Sequence, residues 1–237
     1  VSAYALIRVL FFVLPTGEVV ETALAVLSWV AAGGILAGAI LALAQTDVRR
    51  MLAYSSVGQM GYVVLGLSLG SVTALTGALL HVVAHAVAKG CLFGTVGSLS
   101  RKTASAEISG FAGAAQRAPV TMAAFSIAAL SLVGVPPMAG FFSKWYLLRG
   151  ALEADAPLFA VVILVSSLLS AVYFFRVLEQ IYFVSDPGVG EKSFRSEHER
   201  SWTALGPLVA LGTAVLLIGI FNGHLVTEVI RHALPVL

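Results

Sequence analysis

Three titratable side chains stand inside an apolar stretch of the chain, "LLHVVAHAVAKGCLF": His81, His85 and Lys89. Their spacing is i, i+4 and i+8, which on an α-helix turns by only about 80° while climbing roughly 12 Å, so the three share one face. Such a file can pass protons. A neutral imidazole accepts at one nitrogen and donates from the other, and a lysine ammonium, unlike a guanidinium, can release its proton. Lys144 is a second lysine of this kind. It follows "SLVGVPPMAGFF", where Pro136 and Pro137 remove two backbone donors and oppose continuous helix. Gly134 and Gly140 flank the prolines, and the stretch reads as two half-helices meeting at an opening beside Lys144. Tyr54, Ser55, Ser56 and Gln59, in "YSSVGQMGY", could order water or simply bond neighbouring helices. Each group also has a plainer reading: histidines that pack with a hydrogen bond, a proline kink with glycines for close approach, lysines that reach headgroups. The alignment of both histidines with Lys89 and the depth of both lysines favour the proton-bearing reading, because a charge at mid-bilayer costs roughly a few kcal/mol or more.

The elements that must hold these groups are membrane helices. With 59% hydrophobic and 11% charged residues and a mean hydropathy of +0.96, the 237-residue chain is too apolar for a soluble domain. The formal net charge of +2 is spread over short loops, which excludes a nucleic-acid partner. Cys91 stands alone, without a Cys/His cluster, so neither a disulfide nor a metal site is expected, and no flavin, nicotinamide, haem or iron–sulfur motif points to a cofactor. A bilayer core needs roughly 20 apolar residues in a helix. Residues 22–46, 51–69, 71–99, 157–183 and 202–223 qualify, and 119–150 form the broken span, giving six spans plus a partial one at 1–15. The start lacks a basic n-region and a cleavage motif and reads as the middle of a longer protein. Alternating the spans puts Arg49, Arg50, Arg101, Lys102, Arg117, Lys192, Arg195 and Arg200 on one side and Glu18, Glu21, Glu153 and Asp155 on the other. The basic side is expected to be cytoplasmic and the C-terminus outside, with Arg149 and Arg231 against the trend. Asp47 is the expected N-cap of the helix that carries Arg49 and Arg50, and Arg176 and Glu179 are expected to pair locally.

Taken together, "AQTDVRRMLAYSSVGQMGY", "LLHVVAHAVAKGCLF" and "SLVGVPPMAGFFSKWYL" resemble the antiporter-like proton-translocating subunits shared by respiratory complex I, Mrp-type cation/proton antiporters and membrane-bound hydrogenases. The resemblance implies an all-α polytopic membrane protein and covers the C-terminal half of a family member. Members have about fourteen helices that include two inverted five-helix repeats. Residues 1–15 then correspond to the end of helix 8, 16–184 to the second repeat, 185–201 to a cytoplasmic loop, and 202–237 to the final helix and tail. In this family the histidines and lysine of "HxxxHxxxK" belong to a hydrated central axis, and the lysine after the broken helix is the outer proton site. Those roles fall on His81, His85, Lys89 and Lys144. The close spacing "HxxxHAxxK" and the lack of a long lateral helix lean towards the Mrp D-type subunit.

The implied function is that of a proton-translocating subunit in a prokaryotic inner-membrane complex, of Mrp or NADH:quinone oxidoreductase type. Its partners would be other membrane subunits, lipid, protons and, in the Mrp case, Na+. The alternative is a structural membrane subunit that conducts nothing. A quinone-reducing enzyme would need a quinone pocket with its own donors, which the sequence does not show.

Overall fold

The computed structural model describes residues 17–103, 106–184 and 202–230, together with Ala5 and Val9; side chains of residues 100–103, Trp202 and Ala204 are outside that description. The expected helix end at 1–15, the loop at 185–201 with Lys192, Arg195 and Arg200, the tail with Arg231, and the side chains of Arg101 and Lys102 therefore lie outside the described residues. The described chain is helical throughout: α1 Glu18–Leu43, α2 Val48–Ser68, α3 Val72–Thr103, α4 Ala114–Arg117, α5 Pro119–Val133, α6 Ala139–Glu153, α7 Pro157–Tyr182, α8 Trp202–Ile220 and α9 Asn222–Leu225. A short 3₁₀ turn, Ile108–Phe111, precedes α4, and a π-helical turn, Val226–Ile230, follows α9.

Among the described residues, three helices are each long and apolar enough to cross a membrane: Glu18–Leu43, Val72–Leu99 and Pro157–Tyr182. The last span is bent, Leu205–Ile220 meeting Asn222–Ile230 at 79°. α2 has the length of a span, with polar residues along its middle. α5 and α6 are the two 15-residue halves of the broken span. All-α, polytopic membrane architecture is thus what the helices build.

Several boundaries differ from the expected spans for local reasons. α1 starts four residues early and takes Glu18 and Glu21 into its first turn, where the positive end of the helix dipole favours carboxylates. α2 starts at Val48 because the Asp47 side chain accepts from the Arg50 backbone N–H at 3.0 Å, the N-cap the sequence implies. The turn before α2 is then tied to the connector after α3, Val48 N–H donating to the Ala106 carbonyl at 2.8 Å and Ile108 N–H to that of Thr46 at 2.9 Å. Arg176 does not pair with Glu179. Its guanidinium donates instead to the Leu43 carbonyl at 2.6 Å, one of the oxygens that the end of α1 leaves without an intrahelical partner. Arg149, the exception to the charge pattern, is held by Glu153 one turn on, at 2.8 Å.

α1 lies along α2, and α3 is the central helix, packed on α2, α5, α6 and α8. Two apolar clusters fill the bundle. One gathers Val48, Met51 and Leu52 of α2 with Leu92, Phe125 and Phe174; the other gathers Ile35, Tyr62 and Leu65 with Leu75, Leu147 and Ile163. Outward faces are apolar too, with Trp29 62%, Leu164 57% and Leu168 68% exposed, as a lipid-facing surface requires.

Candidate functional site

The two apolar clusters leave a polar layer between them on four helices. On α2 it holds Ser55 and Gln59, between Leu52 and Tyr62; on α3, His81 and His85, between Ala78 and Ala88; on α7, Ser166 and Ser170, between Ile163 and Tyr173. α6 contributes Ser143 and Lys144, between Met138 and Leu147. A polar group placed there must find partners inside the protein.

The broken helix makes room for Lys144. Val133 ends α5, and Gly134 follows with φ of +100°, a left-handed C-cap that suits a residue without Cβ. The Gly134 N–H closes on Leu130 and Ser131, the Pro136–Pro137 peptide is cis, and helix resumes at Ala139. The expected interruption at 134–140 is therefore present over 134–138. Gly140 lets α6 start directly against α5, since a Cβ there would collide with the Ser131 carbonyl, and the Gly140 N–H is capped by the Ser131 hydroxyl at 3.1 Å.

Lys144 is 6% exposed, and its ammonium turns back to the break, donating to the carbonyls of Leu132 at 2.8 Å and Val133 at 3.2 Å and to the Ser167 hydroxyl at 3.1 Å. These carbonyls belong to the end of α5, the negative end of its dipole. The Tyr62 ring lies 4.9 Å from Nζ. A cavity of about 220 Å³ opens beside it, walled by Gly134, Phe141, Trp145, Ile163 and Leu164.

His81 is fully buried and bonded on both sides: Nδ1 is 2.8 Å from the Ser143 hydroxyl and Nε2 is 3.0 Å from Oε1 of Gln59. Its ring sits 5.3 Å from that of Tyr62 and stacks on His85 at 6.3 Å. A hydrogen-bonded chain thus runs from Ser143, the neighbour of Lys144, through His81 to Gln59. A second buried polar group stands beside it, the Tyr173 hydroxyl 2.9 Å from Ser55 and 3.2 Å from Ser170.

Lys89 stands apart from both. It is also 6% exposed, but its ammonium donates to the Leu52 carbonyl of α2 at 2.7 Å and lies 5.8 Å from the Phe93 ring. It does not sit beside the broken helix. The i, i+4, i+8 file drifts around α3 by about 80°, so His81 reaches both α6 and α2, through Ser143 and Gln59, while Lys89, two turns on, reaches the backbone of α2. Between them His85 has a buried Nε2 without a hydrogen-bond partner among the described residues. Neither lysine ion-pairs with a carboxylate among the described residues. Of the supporting residues, Gln59 joins the chain, Ser55 bonds Tyr173 beside it, and Tyr54, 36% exposed, joins neither.

Ser143, Tyr62, Ser167 and Tyr173 complete the site and were not singled out by motif. Their signal is positional: Ser166, Ser170 and Tyr173 recur at i, i+4 and i+7 in an otherwise apolar helix, the spacing of one helical face.

Comparison with known proteins gives these residues a context. The family described as "NADH:quinone oxidoreductase/Mrp antiporter, TM" matches residues 1–170. NADH-quinone oxidoreductase subunit N of Desulforudis audaxviator is 51% identical over 245 aligned residues, which cover 99% of this chain and 48% of that protein. Subunit N of Geotalea uraniireducens is 32% identical over 94% of the chain and 47% of its own length. The chain spans about half the length of the curated relatives it matches. Among solved structures, a chain of respiratory complex I from Thermus thermophilus superposes with a TM-score of 0.79 at 30% identity, over 92% of this chain and 45% of that one. A chain of the Mrp complex from Dietzia has the same fold, with a TM-score of 0.83 at 23% identity, over 95% and 49% respectively. The lean towards an Mrp D-type subunit is not carried by these sequence relatives, which bear the subunit N name.

Proposed function

The chain belongs to the NADH:quinone oxidoreductase/Mrp antiporter transmembrane family, and on that premise we propose that it forms the C-terminal, proton-carrying half of a subunit N-type protein in a redox-driven membrane complex. The observation that carries this reading is Lys144: a buried ammonium held by carbonyl and hydroxyl oxygens, with no carboxylate partner among the described residues, next to the hydrogen-bonded chain of Ser143, His81 and Gln59. Uncharged acceptors hold the amine without locking its charge, as a carboxylate would, so the group can cycle between ammonium and amine. Lys144 is the outer proton site in this proposal, His81 the next carrier, and His85 and Lys89 continue the route along α3. His85, whose buried Nε2 has no hydrogen-bond partner among the described residues, stands between His81 and Lys89 as the intermediate carrier.

Residues 16–184 act as one five-helix repeat in this proposal, followed by the final helix. The basic turns at Arg49, Arg50 and Arg117 face the cytoplasm, and the C-terminus lies outside. Partner membrane subunits supply the remainder of the path and the driving reaction. The structural-subunit alternative leaves without a purpose two buried lysines that pair with no carboxylate among the described residues.

The test is proton uptake into vesicles by the full-length, assembled complex carrying Lys144→Ala and Lys89→Ala together, with assembly measured separately. Uptake is expected to fall at least tenfold. Wild-type uptake in a correctly assembled double variant would sink the relay and leave the structural reading.

A further inference from the structure

Ser143 stands one residue before Lys144, and its Oγ has two acceptors in reach: Nδ1 of His81 at 2.8 Å and the Gly140 carbonyl at 3.0 Å. A serine hydroxyl has one proton, so it donates to one of them at a time. On the far side of the imidazole, Oε1 of Gln59 lies 3.0 Å from Nε2. An amide oxygen only accepts, so Nε2 carries a hydrogen and the charge state of the ring is decided at Nδ1.

We infer that Ser143 is a positioning residue that lets His81 hold either charge state without a change in heavy-atom geometry, by turning its hydroxyl between Nδ1 and the Gly140 carbonyl. With the hydroxyl on Nδ1 the ring is neutral, protonated only at Nε2. When the relay delivers a proton to Nδ1, Ser143 keeps its own hydrogen, turns it to the Gly140 carbonyl and accepts from the new Nδ1–H. The ring gains the proton and the unit of charge that the Lys144 ammonium gives up in the proposed relay; neither Gln59 nor Ser143 loses a proton. The groups facing this ring are the Tyr62 ring at 5.3 Å, the His85 ring at 6.3 Å and, next along α6, Lys144. Because Ser143 and Lys144 are sequence neighbours on α6, any shift of the broken helix acts on both at once.

The inference rests on the proposed relay, and its test separates the two. Full-length protein in its assembled complex is compared as wild type, Ser143→Ala, Ser143→Thr and Lys144→Ala, reading proton uptake into vesicles and the ¹⁵N signals of His81, assigned by difference from His81→Gln. Ser143→Ala is expected to lower uptake about tenfold, the factor associated with one hydrogen bond to a buried group. It should also move the His81 Nδ1 signal, and Ser143→Thr should restore both. Normal uptake and unchanged His81 signals in Ser143→Ala, with Lys144→Ala inactive, would overturn the role of Ser143 and leave the relay standing. Normal uptake in Lys144→Ala would overturn the relay and this inference with it. Should the alanine variant not assemble, Ser143→Cys, similar in size and a poor donor, reads the same quantity, and normal uptake there overturns the inference.

Discussion

Lys144 reaches back across the break in its own span to the Leu132 carbonyl, 2.8 Å away, so the side chain bridges the two half-helices that the prolines separate. The break supplies the oxygens, and the lysine satisfies them. A group that only needed to be positive could be replaced by arginine, but a guanidinium does not give up its proton. Lys144→Arg is therefore expected to abolish proton uptake as fully as Lys144→Ala while preserving assembly. Uptake above half of wild type in the arginine variant would show that charge alone suffices.

Gly134 faces the same lysine. Its φ of +100° disfavours any L side chain, and an added Cβ would lie 3.3 Å from Cδ of Lys144. Gly134→Ala should cost on the order of 1–3 kcal/mol of stability. It should lower the unfolding temperature of the purified protein in detergent and reduce uptake by displacing Lys144. An unchanged thermal transition would show that the break tolerates a side chain.

Gln59 and Tyr54 lie on the same helix, five residues apart, with opposite environments. Gln59 is 2% exposed and bonded to His81, and Tyr54 is 36% exposed. Gln59→Leu removes the acceptor at Nε2 and should cut uptake about tenfold, whereas Tyr54→Phe should leave it within twofold of wild type. Equal effects of the two substitutions would contradict the path through His81.

Arg176 ties α7 to the end of α1 through the Leu43 carbonyl. Arg176→Ala should destabilise the protein by about 1–2 kcal/mol and reduce uptake less than twofold, since arginine carries no proton along the path. Hydrogen exchange at residues 40–44 is the direct check: faster exchange confined to that end of α1 is the expected result.

How much of this was legible beforehand differs by residue. The membrane class, the helical architecture, the break at the double proline and the four titratable groups follow from local sequence. Apolar run length, proline's missing donor and the i, i+4, i+8 spacing are properties of the chain itself. The Asp47 cap was likewise readable, because a cap is a contact between residues three apart. Partnerships between helices were not. Arg176 chose a carbonyl 133 positions away over the carboxylate three residues on, because the end of α1 presents an oxygen that its own helix cannot satisfy. Lys89 and His81 share a face by spacing, yet packing gave His81 side-chain partners on two helices, Gln59 of α2 and Ser143 of α6, and gave Lys89 a backbone carbonyl of α2. No spacing singles out Ser143, Tyr62 or Tyr173; they matter because packing brought mid-helix positions of four helices together. Spacing along one helix decides which side chains share its face, and only the packed bundle decides what that face meets.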